Sequence, residues 1–169
     1  MPQLIKNRAV TDDRWTLVRM AEGALPAGPT IVPLARWLAE RDALGARGDV
    51  GVWLGPADDP AALAADAKTL PLVAIDFPQF ADGRGYSTAR LLRERHGFKG
   101  ELRAIGDVQR DQLAYLVQCG FDAFLIQDGK SAQDALAGFD DFSDGYQLTQ
   151  QRTPWFRRRA AGGTHAVVE

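Results

Sequence analysis

The chain has 169 residues, 46% of them hydrophobic and 25% charged, which suits one soluble domain with a sizeable core and leaves too little for two. Its 20 Lys and Arg against 22 Asp and Glu give a net charge of −2, so no global field draws it to nucleic acid or to an anionic membrane. One cysteine, Cys119, excludes an intrachain disulfide and favours a reducing compartment; with only two histidines, His96 and His165, it cannot form a Cys-rich zinc site or hold an iron–sulfur cluster unaided.

The opening MPQLIKNRAV has no apolar signal core, and no run approaches the ~20 residues of a membrane span, so a cytoplasmic protein without a membrane partner is expected. Residues 1–28 read as an N-terminal β extension and linker. Leu4-Ile5 and Trp15-Thr16-Leu17-Val18 are strand candidates with Thr11-Asp12-Asp13 as the turn between them, which makes a β-hairpin appendage at one edge of the main domain. The stretch from Glu22 to Pro29, with two Gly and two Pro, is the linker.

Residues 29–145 carry the βα pattern. Pro33 suits the first turn of a helix whose apolar face is Leu34, Trp37, Leu38 and Leu44, and Gly45 and Gly48 end it. Trp37 reads as core. Val50 to Leu54 is an apolar strand, Asp59 caps an Ala-rich helix that opens with Pro60, and Leu72 to Phe77 is the second strand. The next helix opens at Ser87 and ends near His96-Gly97, with Tyr86 and Leu91 spaced as a hydrophobic staple and His96 a favourable cation at its end. Glu101 to Ile105 alternates polar and apolar residues, Asp107 can cap a helix over 108–118 that Gly120 ends, and Ala123 to Ile126 is a strand. Ser131 to Asp134 resembles a capping box for a last helix.

Four or so βα units make a parallel sheet covered by helices, and the length excludes a full barrel of ~250 residues. An open doubly wound sheet competes with a half-TIM-barrel-like α/β fold. The half barrel is favoured because Glu101 and Arg103 share one strand face and Asp76 ends a neighbouring strand, and such a polar face suits a barrel interior or the junction of a homodimer. Residues 146–169 form a C-terminal extension in which Trp155-Phe156-Arg157-Arg158-Arg159 is either a solvated tail or a docking segment for an acidic partner.

Candidate chemistry gathers at strand ends. Asp76, Arg103 and Asp107 lie at the carboxyl ends of adjacent strands, the edge that carries active sites in βα folds, as acid–base group, anion grip and helix-start residue; the competing structural reading is an Asp76–Arg103 salt bridge with Asp107 as cap. The turn Asp82-Gly83-Arg84-Gly85, with the helix start at Ser87 and with Arg90, has the parts of an anion site: permissive backbone, free N–H groups and two guanidinium groups. It fails as a dinucleotide fingerprint, because Thr88 stands where the third glycine belongs. Cys119, with no histidine close in sequence, reads as an inert packed thiol. No metal ligands are assigned and the cofactor stays unknown.

The segments FPQFADGRGYSTARLLRER, GELRAIGDVQRDQL and CGFDAF resemble those of domain-of-unknown-function family 934, a proteobacterial family whose members are labelled oxidoreductases associated with sulfite reduction. The resemblance covers most of the chain and is weakest over 1–28 and after Trp155. It implies a cytoplasmic accessory protein or oxidoreductase of sulfate-to-sulfide assimilation, encoded beside the assimilatory sulfite reductase and the phosphoadenylylsulfate reductase. Sulfite reductase or its electron donor is the partner implied. No catalytic residues carry over, and the residues themselves show no flavin or nicotinamide motif. The alternatives are a small-anion enzyme using the strand-end Asp/Arg cluster and a structural subunit without catalysis.

Overall fold

In the computed structural model, which describes residues 3–79, 82–126, 131–136 and 139, eight strands form one sheet. The chain runs β1 (Gln3–Lys6), β2 (Ala9–Thr11), β3 (Thr16–Leu17), β4 (Thr30–Pro33), α1 (Leu34–Ala39), α2 (Arg41–Arg47), β5 (Val50–Leu54), a 3-10 turn (Pro60–Leu63), β6 (Leu72–Phe77) and α3 (Arg84–Arg90). A π turn (Leu91–Arg95) extends α3, followed by β7 (Glu101–Gly106), a second 3-10 turn (Arg110–Gln112), α4 (Leu113–Gln118), β8 (Ala123–Ile126) and α5 (Ala132–Leu136). Spatial order is β2-β1-β8-β7-β6-β5-β4-β3, parallel from β3 to β8 and antiparallel where β1 meets β8 and β2.

The sheet is a curled half barrel, and chain connectivity helps to explain the curl. In a flat eight-stranded sheet, interstrand spacings of about 4.8 Å would hold the edge strands β2 and β3 about 34 Å apart. The Cα steps from Thr11 to Thr16 reach at most about 18 Å, so the two edges must bend toward each other.

Helices cover one face of this sheet. Val52, Val73, Ile75, Leu102, Ala104 and Phe124 point to them and form the main core with Trp37, Leu92, Phe98 and Leu116. Among the described residues the other face carries no helix. Ile31, Leu72, Ala74 and Ile105 line it under Trp15, Leu17, Trp53 and Leu125. Trp37 is buried as expected, and its indole Nε1 donates to Asp66 Oδ2 at 3.0 Å.

The strands expected near 50, 72, 101 and 123 are β5 to β8. Two expectations change besides the helix from Pro33 to Gly48, which is split into α1 and α2 with Gly45 inside α2, and the Ala-rich helix, which is only the 3-10 turn Pro60–Leu63. The hairpin is β1–β2, turning at Asn7 and Arg8 with φ of 51° and 62°, while Thr16–Leu17 pairs with β4 at the opposite edge. The physical reason is local: two successive residues in the left-handed region make a tight two-residue turn, and this pre-empts the turn expected at 11–13. Second, Pro33 ends β4 and occupies the cap position of α1 rather than its first helical residue. The segment Trp155 to Arg159 lies outside the described residues. Among the described residues no helix is long and apolar enough to cross a membrane.

Candidate functional site

β6 is buried along its whole length, and alternation sends Val73, Ile75 and Phe77 to the helices and Leu72, Ala74 and Asp76 to the helix-free face. Asp76 therefore sits at the carboxyl end of a central strand, 9% exposed, facing the mouth of the half barrel. It does not pair with Arg103. Both its oxygens are taken by Arg19, Nη1 to Oδ2 at 2.7 Å and Nη2 to Oδ1 at 3.2 Å. The Arg19 guanidinium also lies over the Trp53 ring, 5.3 Å from its centroid, and the Trp53 indole donates to the Val18 carbonyl at 2.9 Å. An arginine stacked on an aromatic face while gripping a carboxylate is fixed in two directions at once.

Next to Asp76 the backbone of β7 comes unusually close. Gly106 has φ +93°, and a Cβ there would stand 2.4 Å from the Phe77 carbonyl oxygen and 2.9 Å from Asp76 Oδ1. Only glycine fits. The following amide, of Asp107, donates to the Phe77 carbonyl at 2.7 Å and ties the two strand ends together. The Asp107 carboxylate accepts from Gln109 Nε2 at 2.7 Å. Asp107 is not the helix cap: Gln109 caps the turn at 110–112, in a reciprocal box with Gln112. Gly106 in its left-handed conformation redirects the chain and puts the cap two residues later.

Arg103 lies deeper on the same face, opposite Ala74 in the register, and is 1% exposed. Its Nη1 donates to Asp13 Oδ2 at 2.7 Å and its Nε to Glu101 Oε1 at 2.8 Å. Nη2 is 2.7 Å from the same Glu101 oxygen but off the hydrogen-bond direction, so that contact is electrostatic only. Lys6 closes the group with a 2.7 Å contact to Glu101. The charges of Lys6, Glu101, Arg103 and Asp13 sum to zero, the condition under which a buried arginine is tolerated. The polar face that suggested a subunit junction is thus engaged within the chain, by β1 and the segment after β2.

The glycine turn is built differently from the sequence expectation. α3 starts at Arg84, not Ser87, so Ser87 lies inside the helix, and the cap position is Gly83, which has no side chain to bond. Tyr86 is also helical and forms no staple with Leu91; its ring packs 5.4 Å from Phe77 and 5.0 Å from Tyr115, and its hydroxyl accepts from Gln112 Nε2 at 3.0 Å. The cause is Asp82, whose carboxylate accepts from the Arg84 amide at 3.2 Å, so that the helix starts earlier. Arg84 also folds its guanidinium onto Asp82 at 2.9 and 2.7 Å, holding that carboxyl below the usual carboxylate range. Gly85 is needed for packing: a Cβ would lie 2.5 Å from Phe77 Cζ. Gly83, with nothing within 4 Å of such a Cβ, makes no such demand.

Arg90, at the far end of α3, interacts with Cys119 and Tyr115. The Cys119 thiol is buried, and burial pushes it above its ordinary value. Of the residues singled out in the sequence, Asp76 and Asp107 are brought together around Gly106, and Arg103 lies below them. Asp82, Gly83, Arg84, Gly85, Ser87 and Arg90 belong instead to the turn and helix on the helix-covered face, where Gly85 packs on Phe77 and Ile75. Arg19, Asp13 and Trp53 complete the mouth; no pattern in residues 11–19 singles out the first two, and Trp53 reads only as part of an apolar strand. Only Gly106, a glycine between a strand and an aspartate, left a signal. A small cavity of about 50 Å³, lined by Trp37, Leu44, Val50, Leu70 and Pro71 among others, lies at the amino ends of β5 and β6. Among the described residues no three His, Cys, Asp or Glu side chains are grouped to hold a metal ion.

The model of a family described as bacterial protein of unknown function (DUF934) matches residues 51–156. The match takes in Asp76, Arg103, Gly106 and Asp107, whereas Asp13 and Arg19, which hold two of these, and Lys6, which contacts Glu101, precede it. No curated protein matches the chain.

Proposed function

Because the chain belongs to this bacterial family of unknown function, we propose that it serves assimilatory sulfite reduction as an accessory protein, binding sulfite reductase or its electron donor in the cytoplasm. The pathway rests on the family resemblance. The accessory role is supported by one observation above others: both oxygens of Asp76 are bonded to Arg19 at the edge where a βα fold would do chemistry. A carboxylate that binds one guanidinium through both oxygens is accounted for as an ion-pair partner, and Arg103 is likewise engaged by Asp13 and Glu101. Pull-down with sulfite reductase and its electron donor, together with reductase rates measured with and without this protein, tests the role. Binding with a changed rate is the expected result; neither binding nor a rate change overturns it.

A second reading, an oxidoreductase or other enzyme acting on a small anion, is favoured by the half-exposed Arg19 side chain held over Trp53. Thermal shift with sulfite, sulfate, phosphoadenylylsulfate, NADPH and flavins decides it, since a ligand at a hundredfold its Kd stabilises by about 2.7 kcal/mol. A shift that Arg19→Gln abolishes supports the enzyme. A shift that survives this substitution places the ligand elsewhere.

A further inference from the structure

We propose that residues 12–22 form a lid over the mouth of the half barrel, latched by Asp13–Arg103 and Arg19–Asp76 and hinged at Gly23, and that it opens by releasing the two-residue edge strand β3 while β4 to β8 stay paired.

The connection from β2 to β4 spans residues 12–29 and is interrupted only by the two-residue β3. Connections of this length inside a compact domain are commonly functional lids. Its grip on the sheet is small. The Thr16 amide bonds the Pro29 carbonyl, the Val18 amide bonds the Ile31 carbonyl, and the Trp53 indole holds the Val18 carbonyl. Its apolar contribution is Trp15 and Leu17, both half-buried, against Leu72 and Ala74 beneath them at 0% exposure. A segment with little apolar burial and few backbone bonds sits at the low-stability end of a structure.

The hinge is equally specific. Gly23 has φ +105° with open space around it, so the backbone there can turn without meeting a neighbour. Its carbonyl is held by Arg36 Nη2 at 2.7 Å, which pins the far side of the hinge to α1. The lid therefore has a fixed end, a free glycine and a face held by two ion pairs, a few hydrogen bonds at β3 and the packing of Trp15 and Leu17.

The lid covers opposite charges on one surface. Asp76 and Arg103 are 9% and 1% exposed, and the partners reaching them from outside the sheet, among the described residues, are Arg19 and Asp13. Lifting the lid presents a carboxylate and a guanidinium, two register positions apart, beside the Trp53 ring. This inference holds whichever partner or ligand the protein takes.

Hydrogen exchange read by mass spectrometry on the full chain tests it. Peptides covering 14–20 should exchange roughly a hundredfold faster than those of β6 and β7. The double variant Asp13→Asn, Arg19→Gln should speed the lid roughly another tenfold, and β6 and β7 by no more than its loss of global stability in urea accounts for. Exchange of the lid at the pace of β6 and β7 in the unaltered chain, or a double variant whose lid exchanges no faster than the parent's, overturns the proposal.

Discussion

Arg19 reaches Asp76 across 57 residues of sequence and occupies both carboxylate oxygens, at 2.7 and 3.2 Å. Removing the arginine strands a largely buried carboxylate. Arg19 itself is half exposed, so water replaces part of what is lost, and Arg19→Ala should cost about 1–2 kcal/mol, below the range for fully buried pairs. The double variant Arg19→Ala, Asp76→Asn should recover part of that loss, because no uncompensated charge remains. Urea unfolding of both single variants and the double gives the coupling energy. Additive losses would mean that the two side chains do not act on each other.

Gly106 and Gly83 make opposite predictions. Alanine at 106 would force a left-handed φ on a Cβ-bearing residue and press that Cβ against the Phe77 carbonyl 2.4 Å away. The left-handed conformation alone costs about 1–2 kcal/mol, and the clash adds to it. Alanine at 83, where φ is −77° and nothing lies within 4 Å, should leave stability within about 0.5 kcal/mol of the parent. Melting temperatures of the two variants measured side by side test the contrast.

The parts of the fold legible in the sequence were those with local causes. The apolar run of β6, the Asp59 cap with Pro60 behind it, and Gly48 closing α2 in a left-handed conformation all follow from a few adjacent residues. What was illegible came from distant partners. Nothing near Arg19 indicates that it meets Asp76, and the alternation of Glu101 and Arg103 shows a polar face without showing Lys6 and Asp13 upon it. β4 escaped notice because it is four residues ending in proline, too short for a period to appear. The start of α3 was misplaced because Ser87 is a good cap by type, while Asp82 bonded the Arg84 amide first.

Cys119 should behave as packing. It is fully buried, and burial raises its pKa, so the thiolate that would attack an electrophile is scarcer at neutral pH than for a free cysteine. Iodoacetamide at pH 7.5 should leave the folded chain unlabelled over an hour and modify it once in denaturant. Prompt labelling of the folded protein would contradict the burial.

Asp122 supplies a pH dependence with a definite sign. Burial raises its carboxyl above the ordinary value near 3.8, although Arg93 at 3.0 Å pulls the other way. A raised acid holds its proton longer in the folded state, so its contribution to stability is greatest at low pH and falls as pH climbs from the ordinary carboxylate value through the raised one. The stability difference between the parent and Asp122→Asn should shrink across that window and be flat on either side. A difference that grows with rising pH would place the carboxyl below its ordinary value instead.

Among the described residues Arg103 is the most deeply buried charge, 1% exposed with Asp13 and Glu101 both bonded to it. Arg103→Ala leaves two carboxylates facing each other on a covered surface, and should cost about 3–5 kcal/mol, the range for breaking a buried pair from one side. Arg103→Lys keeps the charge but not the fork that reaches both partners, and should fall between alanine and the parent. The variant Arg103→Met with Asp13→Asn and Glu101→Gln removes every unpaired charge except Lys6, which can turn to solvent. It should therefore recover most of the loss, because apolar replacements of buried ion pairs are often neutral or better. Guanidinium unfolding of the three variants orders them. If the neutral triple variant is as unstable as Arg103→Ala, the cost lies in lost packing around the long side chain rather than in stranded charge.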